Sequence, residues 1–198
     1  LNTLGEPEKA LGLIKARKFH QWEGGEGKVA AQYLTALYQL AKAAVEKEDY
    51  AEAKELLLRA VGEYPHNLGE GKLESGQENN LYYLLGLVQE KLGEAKDAFE
   101  SLTRACCGES EPVGMMYYND QPPEMIYYQG LAYRMLGEEE QAVRRFQKLV
   151  DYGREHIRDD VKIDYFAVSL PDLLIFEENL NERNRKHCLF MICLLYTS

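Results

Sequence analysis

Three stretches of this chain repeat one pattern at nearly constant spacing, and repetition of that kind restricts a fold more tightly than composition does. DYAEAKELLLRAVGEYP (49–65), LGEAKDAFESLTRAC (92–106) and LGEEEQAVRRFQKLV (136–150) each open on a turn. Each then places a small residue, a large apolar residue four later, and a small or apolar residue three further on. The triplets are Ala53/Leu57/Ala60, Ala98/Leu102/Ala105 and Ala142/Phe146/Leu149. Steps of four and three keep all members on one face of an α-helix. Twelve residues before each leading alanine stands another small residue, Ala41, Gly86 or Gly130. These lie in LYQLAKAAVEK, YYLLGLVQEKL and IYYQGLAYRML, which are helical patterns as well. The repeated unit is therefore a pair of helices, with small residues where the two cross.

This design resembles the tetratricopeptide repeat (TPR), in which a Gly or Ala on the first helix meets an Ala on the second. Leu37, Tyr82 and Ile126 take the large apolar position of the first helix, and Pro65 stands where the family carries a proline. The period departs from the family. Ala53 to Ala98 is 45 residues and Ala98 to Ala142 is 44, against about 34 in a plain repeat. Insertions at 68–78 and 113–122 account for the excess, each between one pair and the next, and a longer stretch, 157–185, follows the third pair. The resemblance implies an all-α, right-handed TPR-like helical solenoid of about three and a half units, with loop insertions between them. Helices are expected near 6–18, 28–48, 50–63, 79–92, 94–107, 123–136, 138–152 and 180–192. A further turn of helix is expected after Pro171, and weak alternation over 161–170 points to extended chain.

Both ends read as cut. Gly5, Ala10 and Ile14 match a second helix whose partner would precede Leu1, and LNERNRKHCLFMI (180–192) matches a first helix whose small-residue position falls at Cys193. Residues 1–192 are thus expected to form the solenoid fragment. The last six residues, CLLYTS (193–198), are read as sequencing-adapter read-through, because one choice of their codons spells a transposon end used in library adapters. On this reading the chain is a metagenomic fragment. Leu11, Ile14, Met191 and Ile192 are expected to be more exposed than core residues.

Charge narrows the function. Lys and Arg total 23 and Asp and Glu 33, so the net charge is −10. A nucleic-acid surface needs a basic face, and an anionic membrane would repel the chain, so neither partner is expected. The longest apolar run, Leu189–Tyr196, has eight residues, far short of the ~20 of a membrane helix. The first ten residues carry Glu6 and Glu8 and no apolar core, which does not read as a secretory leader. Cys106, Cys107, Cys188 and Cys193 form no disulfide framework, and His20, His66, His156 and His187 lie far apart. Reduced thiols in a cytoplasm, with no metal and no cofactor, is the expectation.

WEGGEGK (22–28) superficially resembles a phosphate loop. It lacks the leading Gly, has Val29 where Ser or Thr is required, and brings Glu23 and Glu26 to the anion. A turn between helices is the better reading. No nucleophile elbow or zinc-protease motif occurs. Asp159, Asp160, Asp164 and Asp172 gather in the long insertion without a spacing that signals acid–base work.

Aromatic residues carry the strongest binding signal. Tyr38, Tyr83 and Tyr127 recur at the groove-facing position of the first helix, with Phe190 in the partial fourth unit. Thr35, Asn80 and Glu124 precede them on the same face, and Val45, Glu90 and Arg134 follow. Such rings supply contact area at low entropy cost, though inter-unit packing would use them as well. A second group lies in the loops: Trp22 with Glu23, Tyr117 and Tyr118 with Asn119 and Asp120, and Asp164 with Tyr165 and Phe166. If the loops gather along one edge, the two groups make one acidic, aromatic surface for a glycan or a peptide. The clamp by which some TPRs grip a C-terminal carboxylate is poorly matched, since Lys42, Lys91 and Arg134 stand among many acids.

FHQWEGGEGKV (19–29), ENNLYYLLG (78–86), YYNDQPPEMIYYQGLAYRMLG (117–137) and DDVKIDYFAVSLPDLLIFEENLNERNRKHC (159–188) carry a wider resemblance, spanning residues 5–192. They are similar to the C-terminal helical region of large bacterial proteins that begin with a β-rich domain of unknown function. That resemblance implies a non-catalytic binding and scaffolding module in a larger bacterial protein, linked to carbohydrate metabolism, with the missing N-terminal domain as one partner. Its alternative is part of a carbohydrate-active enzyme whose catalytic domain lies elsewhere.

Overall fold

The computed structural model describes residues 1–21, 25–72, 77–114, 120–162 and 179–194. These contain eight α-helices and no strand. The helices are α1 (Pro7–Lys15), α2 (Lys28–Glu46), α3 (Tyr50–Val61), α4 (Asn79–Lys91), α5 (Ala95–Ala105), α6 (Pro123–Met135), α7 (Glu139–His156) and α8 (Leu180–Leu194). Each expected helix is present. Helix α7 runs to His156 rather than 152, and two short 3₁₀ turns, Asn2–Leu4 and His66–Leu68, were not anticipated. The turn after Pro171 and nearly all of the extended stretch expected at 161–170 lie outside the described residues.

The chain divides into an N-terminal body, residues 1–104, and a C-terminal body, residues 105–198. In the first, α1 packs on α2, α2 on α3 and α3 on α4. Its core includes Leu37, Ala41, Ala53, Leu57, Leu81, Leu85 and Val88. In the second, α6 packs on α7, α7 on α8, and α6 also touches α8. Ile126, Leu149, Cys188 and Met191 are its core cluster.

One turn recurs in all three helical pairs. Glu48, Gly93 and Gly137, each five residues before the leading alanine, adopt left-handed backbone with φ of 61°, 77° and 80°. In each turn the next residue's N–H closes on the first helix: Asp49 on Ala44 O, Glu94 on Gln89 O and Glu138 on Tyr133 O, all at 2.9 Å. A left-handed residue that returns orphan carbonyls to the chain is the standard way to end a helix. Glycine suits it at two sites, while Glu48 is the one non-glycine residue at positive φ among those described.

The crossings follow the small residues. A Cβ on Gly86 would lie 2.6 Å from Leu102 Cγ, and one on Gly130 would lie 2.4 Å from Phe146 Cε1. Both glycines therefore let a second helix sit directly on the first, as the repeat requires. Ala41 and Ala53 are fully buried at the remaining pair. A third close approach, absent from the sequence reading, is Gly153, where a Cβ would meet Cys188 O at 2.7 Å. It brings α8 onto the last turns of α7.

The expected exposure at the ends does not occur at Leu11, Ile14 or Met191. Leu11 and Ile14 are buried in the N-terminal core, Met191 is fully buried, and Ile192 is half-buried against Gly153. The reason is that a helix in a stack has two packed faces. Helix α1 buries its apolar stripe on α2, and α8 turns Asn184, Cys188 and Met191 inward while packing on α7. Exposed apolar residues near the ends are instead Leu1, Leu4 and Leu13 on one side and Leu189 and Phe190 on the other. Cys193, expected at a helix crossing, is exposed.

Candidate functional site

In the N-terminal body the described parts of the first two loops are tied to each other. Phe19 N–H donates to Asn67 O at 2.8 Å. Asn67 Nδ2 donates to Ile14 O and Arg17 O, both at 2.8 Å. Glu70 accepts from the N–H of Gly27 at 2.7 Å and of Ala30 at 2.9 Å. The glycine-rich loop therefore does present amides at a helix N-terminus, where negative charge is stabilised. The anion there is the chain's own Glu70 carboxylate. Farther along the same segment, Lys72 Nζ donates to Val61 O at 2.5 Å and to Glu78 Oε2 at 2.6 Å.

Burial raises the carboxyl of Glu78, 5% exposed, above its ordinary range, with Lys72 opposing. It also raises the Tyr64 phenol, with Glu78 adding to the effect. Tyr38 and Tyr83 are half-buried on α2 and α4, and the Lys42 ammonium lies 5.9 Å from the Tyr38 ring centre. Asn80 is half-buried as well.

In the C-terminal body Tyr127 is half-buried, with its ring 5.8 Å from Tyr128 and 5.6 Å from Phe146. Arg134 lies with its guanidinium 5.1 Å from the centre of the Phe146 ring and bonds Glu139 at 3.3 Å through both Nε and Nη2. It covers its own helical pair. Asp120 is half-buried beside Gln121. Trp22, Glu23, Tyr117, Tyr118, Asn119, Asp164 and Tyr165 lie outside the described residues.

Buried Gln129 organises the segment leading into α6. Its Nε2 donates to Cys107 O at 3.2 Å and Glu109 O at 2.8 Å, while its Oε1 accepts from Arg145 Nε at 3.0 Å. Burial, with neighbouring Cys107 adding, pushes the Cys106 thiol up to about 12 against the pull of Arg145. A thiol raised in this way stays protonated near neutral pH. Among the described residues no group of three or more His, Cys, Asp or Glu is placed to hold a metal ion.

One open cleft of about 540 Å³ lies in this body. Gly114 and the start of α6, Pro123 and Glu124, form one side. Asn179, Glu182, Arg183, Lys186, His187 and Phe190 form the other, along α8. Asn179 caps α8, accepting from Glu182 N–H at 3.1 Å. His187 Nε2 donates to Val113 O at 2.8 Å and so fixes α8 to the chain before α6. Lys186 pairs with Glu182 at 2.7 Å and holds that carboxyl below its usual range.

Of the expected site residues, this cleft holds Glu124, together with Phe190 of the aromatic series. Arg183, Lys186 and His187 were missed. The signal that could have found them is local charge: three cations against one carboxylate in α8 of an acidic chain.

No solved structure matches the chain. The family model for the tetratricopeptide repeat matches residues 35–67 and 124–152. Those segments cover most of α2 with α3 and most of α6 with α7. The pairs α2–α3 and α6–α7 are thus the parts of the chain that are similar to the tetratricopeptide repeat, one in each body.

Proposed function

We propose that this chain is a binding and scaffolding module of a larger bacterial protein, and that it holds a segment of a partner protein without catalysing a reaction. The observation that carries this is the cleft between α6 and α8, set where a tetratricopeptide repeat leads into the next helix. It combines a ring, both charges and amide groups, the mixture that protein interfaces use around an anchor residue. Phe190 is 45% exposed, so its ring is available to a ligand and its removal leaves the core intact. The carbohydrate link rests on a wider sequence resemblance. A glycan would draw on aromatic platforms expected in loop segments outside the described residues.

A peptide-display selection and a glycan array on the same protein test the reading. Peptides should be enriched, and Phe190→Ala should weaken their binding by about five- to tenfold, roughly 1–1.4 kcal/mol, at unchanged Tm. Glycan binding with no peptide binding would replace this reading with the carbohydrate alternative.

A further inference from the structure

We draw no further inference here: the strongest candidate, the cluster of Arg144, Arg145 and Lys148 lining an open pocket of about 320 Å³ on α7, is balanced by Asp151 in the same lining and by Glu140 and Glu111, which pair with Arg144 and Lys148, so nothing in the structure shows what would occupy it.

Discussion

The two bodies carry insertions at the same point of the repeat, after the second helix, and use them in opposite ways. In the N-terminal body residues 62–72 act as a strap. Asn67 bonds the end of α1, Glu70 caps α2, and Lys72 reaches Glu78 at the start of α4. The side chains of Asn67, Glu70 and Lys72 all bond within the chain, while Glu78 Oε1 is buried without a hydrogen-bond partner. In the C-terminal body residues 106–114 are anchored by buried Gln129 and by His187, and among the described residues a cleft lies beside them. The lesson is that a repeat supplies the scaffold, while the side chains of an insertion decide whether its edge is sealed or left for a ligand.

The sharpest way to break the comparison is at the crossings, where the N-terminal body has Ala41 and Gly86 and the C-terminal body Gly130. Gly130→Leu would drive a side chain into buried Phe146. A loss of about 1–3 kcal/mol is expected, roughly 3–10 °C in Tm; an unchanged melt would show the pairing of α6 with α7 to be wrong. Ala41→Gly should cost less, about 1 kcal/mol, because only helix propensity and a small contact are lost.

The strap is tested next. Glu70→Ala removes the acceptor on Gly27 and Ala30 and should cost about 0.5–2 kcal/mol. Amide exchange should quicken at the start of α2 while peptide binding to the α6–α8 cleft is unchanged. Equal protection in the variant would mean that the carboxylate does not hold the helix.

A smaller effect is expected at the shared turn. Glu48 holds a backbone conformation that Gly93 and Gly137 adopt freely. Glu48→Gly should stabilise by about 0.5–1 kcal/mol, as relief of left-handed strain exceeds the entropy that glycine adds to the unfolded chain. A denaturant midpoint that falls would refute this.

The smallest expected signal is a slope with pH. Glu78 is held above the ordinary carboxyl value of 4.5, so the folded chain binds that proton more tightly than the unfolded one. Its contribution is complete below 4.5 and is lost as pH rises through the raised value. Glu78→Gln should therefore lose stability less steeply than wild type as pH rises across that window. Denaturant melts at several pH values give the comparison, and identical slopes would show that Glu78 titrates normally.

The helices of the three repeated pairs were legible because three regularities coincide at each pair, and α1 and α8 by their match to the same apolar steps. Apolar residues recur at steps of three and four, a small residue marks the crossing, and Gly or Asp marks the turn. All are local in sequence, so all eight helices could be placed. The exposure of Leu11, Ile14 and Met191 was misread because a lone helix pattern shows which stripe is apolar but not how many neighbours will cover it. Gly153 was overlooked for a similar reason: its partner, Cys188, is 35 residues away and belongs to no repeat.

The site divides along the same line. Glu124 and Phe190 follow from repeat register alone, while Arg183, Lys186 and His187 became cleft residues only when α8 packed on α7. The strap is similar, since nothing in WEGGEGK or in LGEGK says that Glu70 will sit on Gly27. Periodicity thus determined the all-helical repeat and its crossings, because helical spacing is written in neighbouring residues. Tertiary structure decided which amides received Glu70, which basic face met α6 and where a cleft remained, because those partners lie tens of residues apart and carry no shared spacing.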